Sequence, residues 1–207
     1  MTPEIKFAFI AACFAVAVLS FFRCNCKKDW AWLVGGLAFT LGADYFLVLQ
    51  NNHVSGVAVF LFAHVCYIER AMNAMKQKIK PVTKRLGIVA IALIFLFVLH
   101  TGSVVIGLAI GYAVLFVSNL VVNFRHLTCR ETRIPKLNRA LTCAGLVLFA
   151  LCDICVMLFN LPQYFGAYHG LTAVFPLIWV FYLPSQIILA VTAVRFSREK
   201  MSIAELQ

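Results

Sequence analysis

Leu41–Tyr67 reads LGADYFLVLQNNHVSGVAVFLFAHVCY, and its reading decides the fold. An aspartate, Asp44, stands inside an apolar stretch. A polar turn, Gln50–His53, follows, and a second apolar stretch then carries His64 and Tyr67. Two apolar segments of helix length joined by so short a turn make a helical hairpin. A carboxylate at the middle of a bilayer-spanning helix costs about 2.5–3.5 kcal/mol on insertion scales. A chain that keeps one there has a use for it.

The surrounding sequence gives the hairpin its setting. The chain has 207 residues, 63% of them hydrophobic and 13% charged, about half the charge of a soluble domain. The apolar residues come in long blocks rather than in the alternating or one-faced patterns of soluble elements. No polar stretch is long enough for a second, soluble domain. The expected fold is all-α: a multi-pass integral membrane helix bundle forming a single domain over 1–207, with the lipid bilayer as its first partner.

The net charge of +10 is not a nucleic-acid signal, because of where it lies. Lys6 alone among the Lys and Arg residues precedes the first apolar block. Arg23, Lys27 and Lys28 fall in the first connection, Arg70 to Arg85 around the third, Arg125 to Arg139 in the fifth, and Arg195, Arg198 and Lys200 in the tail. The second, fourth and sixth connections carry none. This alternation is the positive-inside pattern, so the basic face meets anionic cytoplasmic lipid. The eight cysteines fall in apolar blocks or on that basic side, which argues for reduced thiols rather than a disulfide framework.

Seven spans follow: Ile5–Phe22, Trp30–Leu49, Val54–Met72, Leu86–Leu99, Val104–Phe124, Ala140–Phe159 and Leu171–Phe196. Positive charge sits behind the first, at Arg23–Lys28, rather than in front as in a signal peptide. That block is read as a retained helix with the N-terminus outside. Most blocks approach the roughly 20 residues a bilayer core requires; the fourth is short. Pro176 and Pro184 predict a kinked last helix. A faint repeat is present as well. Gly36-Leu37 precedes Asp44 as Gly145-Leu146 precedes Asp153, and Leu49 and Asn51 correspond to Leu158 and Asn160. The pattern fits two parallel three-helix units joined by the fourth helix, a plan some small transporters also use.

Asp44 and Asp153 are the two acidic residues well inside spans, at similar distance from the expected outer helix ends. Two carboxyls brought together tend to hold one proton between them, leaving one acid and one base. His64 lies deeper in the third span, with Tyr67 one turn further. On the last span Trp179, Tyr182 and Gln186 share a face by their three- and four-residue spacing. Asn119 and Asn123 read as helix-packing groups. His53, His100 and His169 fall in outer connections without ligand spacing, so neither a metal nor a cofactor is expected.

These residues carry a resemblance. Gly42-Ala43-Asp44, Phe60-Leu61-Phe62-Ala63-His64-Val65-Cys66-Tyr67, Leu148-Phe149-Ala150-Leu151-Cys152-Asp153 and Tyr182-Leu183-Pro184-Ser185-Gln186 resemble the YhhN family of membrane proteins, which includes the lysoplasmalogenases. The motifs occur in the family's order. Ala43 intervenes where the family usually has Gly-Asp, Cys152 replaces its usual Ser, and one span rather than two precedes the first aspartate helix. The resemblance implies hydrolysis of the vinyl ether bond of a lysoplasmalogen, a lysophospholipid-like amphiphile, to a fatty aldehyde and a glycerophospho-base. It implies Asp44 and Asp153 as catalytic residues, with His64, Tyr67, Tyr182 and Gln186 binding substrate. Two alternatives stay open: a proton-coupled small-solute transporter using the same aspartates, and a non-catalytic lipid-binding membrane protein.

Overall fold

The computed structural model describes residues 2–24, 26–75, 80–165 and 172–194, with side chains at all of these but 80–86, 161–165 and 172. Among them every element is helical. The order is α1 Pro3–Leu19, α2 Lys27–Asp44, α3 His53–Ala74, α4 Lys80–Thr101, α5 Val104–Thr128, α6 Lys136–Phe165 and α7 Phe175–Val191. A 3₁₀ turn over Ser20–Arg23 extends α1, a π-helical turn over Tyr45–Leu49 extends α2, and a 3₁₀ turn over Thr172–Val174 leads into α7. Five stretches are long and apolar enough to cross a membrane: Pro3–Arg23, Lys27–Leu49, His53–Ala74, Val104–Thr128 and Lys136–Asn160. Gly87–Thr101 and Phe175–Val191 are shorter apolar helices.

The helix ends follow hydrogen bonding rather than hydropathy, so they run past the expected spans. The helix of the fourth span starts at Lys80 instead of Leu86, and that of the sixth continues to Phe165 instead of Phe159. His53 is the first residue of α3 and His100 lies in the last turn of α4, not in loops. The last span is shorter than Leu171–Phe196, since α7 stops at Val191; Leu171, His169 and the basic tail from Arg195 lie outside the described residues. Side-chain caps set several ends. Asn52 Oδ1 accepts from the Ser55 N–H at 3.1 Å, capping α3. Gly102, at φ 67°, makes the left-handed turn between α4 and α5.

Six helices close a ring in the order α1, α2, α3, α5, α6, α7 and back to α1, with α4 outside it against α5. The ring follows the sequence repeat: α2 packs along α3 as α6 packs along α7, while α1 flanks α2 as α5 flanks α6. At the glycines of the repeat the paired helices pack too closely to admit a side chain. A Cβ at Gly36 would stand 2.7 Å from the Tyr67 ring, and one at Gly145 would stand 2.9 Å from Leu189. Ile10, Ala17, Leu33, Leu37, Ala63 and Leu146 belong to the buried core. Ile88, Ile91, Phe95 and Leu99 of α4 face outward, an apolar surface that suits lipid.

The repeat extends to the end of the bundle where α2 and α6 begin. Asp29 lies fifteen residues before Asp44, and Asn138 fifteen before Asp153. Asp29 pairs with Arg70 of α3 at 2.8 Å, and Asn138 Nδ2 donates to the Thr192 carbonyl at 3.1 Å. Arg70 crosses the ring to donate to Thr192 Oγ1 at 2.9 Å and to its carbonyl at 3.2 Å. The open carbonyls at the end of α7 thus find donors from both units.

Candidate active site

Asp44 is the last α-helical residue of α2, set where the helix widens into the π turn. The Gln50 N–H reaches back five residues to the Tyr45 carbonyl at 3.2 Å, and Asn51 adopts a left-handed φ of 51° to turn the chain. π-helical turns inside α-helices are rare and concentrate at functional sites. The side chain of Asp44 is buried, and its Oδ2 accepts from the Tyr182 hydroxyl of α7 at 2.5 Å. Tyr182 is held one turn before Gln186 on the buried face of α7. Pro184 lies inside the helix between them and supplies no N–H to it, and the Ser185 hydroxyl donates to the Tyr182 carbonyl at 2.7 Å.

Asp153, half-buried on α6, is held in the same manner by a residue the sequence reading missed. The Tyr112 hydroxyl of α5 donates to its Oδ2 at 2.6 Å. Among the described residues neither carboxyl has a Lys or Arg partner, since the ion pair there is Arg70 with Asp29. The signal for Tyr112 was a phenol within an otherwise apolar span; no spacing tied it to Asp153.

The two carboxyl–tyrosine pairs are linked by aromatic side chains rather than by an open chamber. Phe149 has its ring 5.5 Å from Tyr182, 5.8 Å from His64 and 5.6 Å from Phe116. His64 in turn stands 4.8 Å from the Tyr112 ring. Tyr112 and Cys152 each lie within electrostatic range of both carboxyls. The site is therefore one continuous cluster built from α2, α3, α5, α6 and α7.

His64, Tyr67 and Gln186 all lie buried in this interior. His64 Nδ1 meets Asn119 Nδ2 at 3.2 Å, and Asn123 Nδ2 donates to Asn119 Oδ1 at 2.7 Å. The two asparagines expected to pack helices thus also fix the imidazole. On the other side, His64 Nε2 and Gln186 Oε1 are buried without a hydrogen-bond partner, and Tyr67 Oη and Thr40 Oγ1 have only each other within reach. Thr40 stands beside the Tyr67 hydroxyl, one turn before Asp44. Its four-residue spacing from Asp44 was legible in the sequence and went unread. Tyr67 lies within electrostatic range of Asp44, and these under-matched buried atoms are ones that a bound polar group would satisfy.

Among the described residues no three His, Cys, Asp or Glu side chains gather as metal ligands would, and the eight cysteines are free thiols. The cleft that opens in the structure lies at the far end, between Lys28, Asp29, Arg70, Arg133, Pro135 and Thr192, away from both aspartates.

Neither the curated proteins nor the solved structures give a match to this sequence. The sequence model of the YhhN family, however, matches residues 2–193 and so spans both aspartates, both halves of the repeat and all seven helices: the chain belongs to the YhhN family.

Proposed function

We propose that the protein is a membrane-embedded hydrolase that cleaves the vinyl ether bond of a lysoplasmalogen-type lipid. The observation that carries this reading is the pair of carboxyl–tyrosine contacts, Asp44 with Tyr182 and Asp153 with Tyr112, joined by one buried aromatic cluster. Vinyl ethers are acid-labile because a proton on the β-carbon makes an oxocarbenium ion. One aspartic acid delivers that proton; the other, ionised, stabilises the cation and takes a proton from the water that adds to the cationic carbon. The hemiacetal then collapses to the fatty aldehyde and the free glycerol hydroxyl. Each tyrosine hydroxyl holds its carboxyl in one orientation, and the aromatic faces of Phe149, Phe116 and Tyr182 suit a passing oxocarbenium ion. The under-matched atoms of Thr40, Tyr67 and Gln186 offer partners for the attacking water.

The same aspartates would serve a proton-coupled carrier, and the repeat of three-helix units favours that second reading. Against it, the buried Arg70 is tied to Asp29 and Thr192, a cation set across the side where a carrier needs a path.

The test is aldehyde release by purified protein from lysoplasmalogen, beside its ester-linked analogue. In heavy water, one deuterium should appear on the carbon next to the aldehyde carbonyl. Solvent oxygen-18 should not enter the glycerol hydroxyl; label there would mean attack on the other side of the ether and would end the acid-first scheme. No aldehyde from any vinyl ether lipid would end the hydrolase reading.

A further inference from the structure

We propose that Lys6 binds the phosphate of the lipid headgroup and so determines specificity beside the Asp44–Tyr182 pair. This rests on the lysophospholipid substrate read above. Lys6 lies in the second turn of α1, at the end of the ring where α2 finishes and α7 begins. Its ammonium stands 4.1 Å over the Trp179 ring and 5.2 Å over Phe175. Trp179 in turn packs edge-on to Tyr182 at 5.8 Å, and Tyr182 holds Asp44. One side-chain relay therefore connects the cation to the reacting carboxyl.

The placement is singular. Among the described residues every other Lys and Arg lies in or beside the connections from α1 to α2, α3 to α4 and α5 to α6, at the opposite end of the bundle. Lys6 makes no ion pair among the described residues. Its neighbour Glu4 is engaged with Thr2. An ammonium over an aromatic face is fixed in position by the ring, yet it keeps donors directed away from it. A phosphate oxygen can take those as charge-assisted hydrogen bonds. In the proposed substrate a glycerol joins the phosphodiester to the ether, and Lys6 lies at the end of the ring where the Asp44 helix finishes.

The experiment uses the full chain in neutral detergent, with Trp30→Phe and Trp32→Phe so that Trp179 alone reports. Two uncleavable probes are added: the saturated hexadecyl ether of glycerophosphocholine, and hexadecylglycerol without phosphate. Lys6→Gln should weaken binding of the first about tenfold, the scale of one charge-assisted contact. It should leave the second unchanged, and Lys6→Arg should restore the first. With cleavable counterparts, Lys6→Gln should raise KM about tenfold for the phosphate-bearing substrate alone at unchanged kcat. Equal losses on both probes, or none on either, would make Lys6 a packing residue and overturn the proposal. A Trp179 response to phosphatidylglycerol without probe would assign Lys6 to the phosphates of the surrounding leaflet and overturn its role in specificity. Lys6-dependent probe binding without aldehyde release would sink the hydrolase reading and leave the phosphate site standing.

Discussion

The two ends of this bundle treat buried polar groups in opposite ways. Where α2 and α6 begin, most groups are matched to one another, Arg139 Nε being the buried side-chain atom left over there among the described residues. Arg70 spends its donors on Asp29 and Thr192, Asn138 binds the Thr192 and Val194 carbonyls, and Arg139 Nη1 reaches the His126 and Cys129 carbonyls at 2.6 and 2.7 Å. Around Asp44 the groups are under-matched: the carboxyl has one donor, His64 and Gln186 each keep an atom unsatisfied, and Thr40 and Tyr67 have only each other. An unsatisfied buried polar group costs about 1–3 kcal/mol. The first end is built to hold the helices together; the second bears a cost that a bound polar group would relieve.

The largest effect expected from breaking this contrast is at the matched end. Arg70→Met leaves Asp29 without its partner and should destabilise the fold by about 3–5 kcal/mol. Thermal unfolding in detergent measures it. Asp29→Asn with Arg70→Met should recover most of the loss, because no charge is then stranded. An unchanged melt in the single variant would mean that this cluster does not secure the helix ends.

At the under-matched end the effects should appear in rate rather than stability. Asp44→Asn and Asp153→Asn should each lower kcat for aldehyde release at least about a hundredfold, the scale for losing a general acid or base. Their melts should stay close to the parent's, since Asn keeps a hydrogen-bonding group in the same space. A variant that melts normally and turns over normally would remove that aspartate from the chemistry.

Smaller effects should separate holding from reacting. Tyr182→Phe and Tyr112→Phe each delete one hydrogen bond to a carboxyl and should cost about tenfold in kcat. A much larger loss in one variant would show which of the two carboxyls, acid or base, limits turnover. Thr40→Val should change stability by less than about 1 kcal/mol, because its hydroxyl has only the Tyr67 phenol beside it. A larger fall would show that this hydroxyl is fully satisfied in the membrane and that the contrast between the two ends is weaker than drawn.

Much of this was legible from residue types alone. Asp44, Asp153 and His64 stand out because ionisable groups in apolar helices are expensive. Tyr182 and Gln186 stand out by spacing, and Asn119 as an amide in a span. Tyr112 did not, because a tyrosine in an apolar helix is ordinary until its hydroxyl is seen to meet a carboxylate. Lys6 was visible as an isolated cation near the N-terminus; its place over Trp179 was not. The importance of Arg70 was hidden for the opposite reason: beside Glu69, at a helix end among many basic residues, it looked like one more cytoplasmic charge.

The sequence by itself determined an all-helical membrane bundle of seven helices, the repeat between its halves and the two carboxyls on corresponding helices. These follow from composition, block length and local spacing, which are short-range properties of the chain. Only the tertiary structure decided that each carboxyl takes a tyrosine, that aromatic rings lie between the two pairs, and that Arg70 ties α3 to α2 and to the end of α7. Asp44 and Tyr182 are 138 residues apart, and Arg70 and Thr192 are 122 apart. Which long side chain meets which buried group depends on how helices pair around the ring, and no local pattern in the chain encodes that pairing.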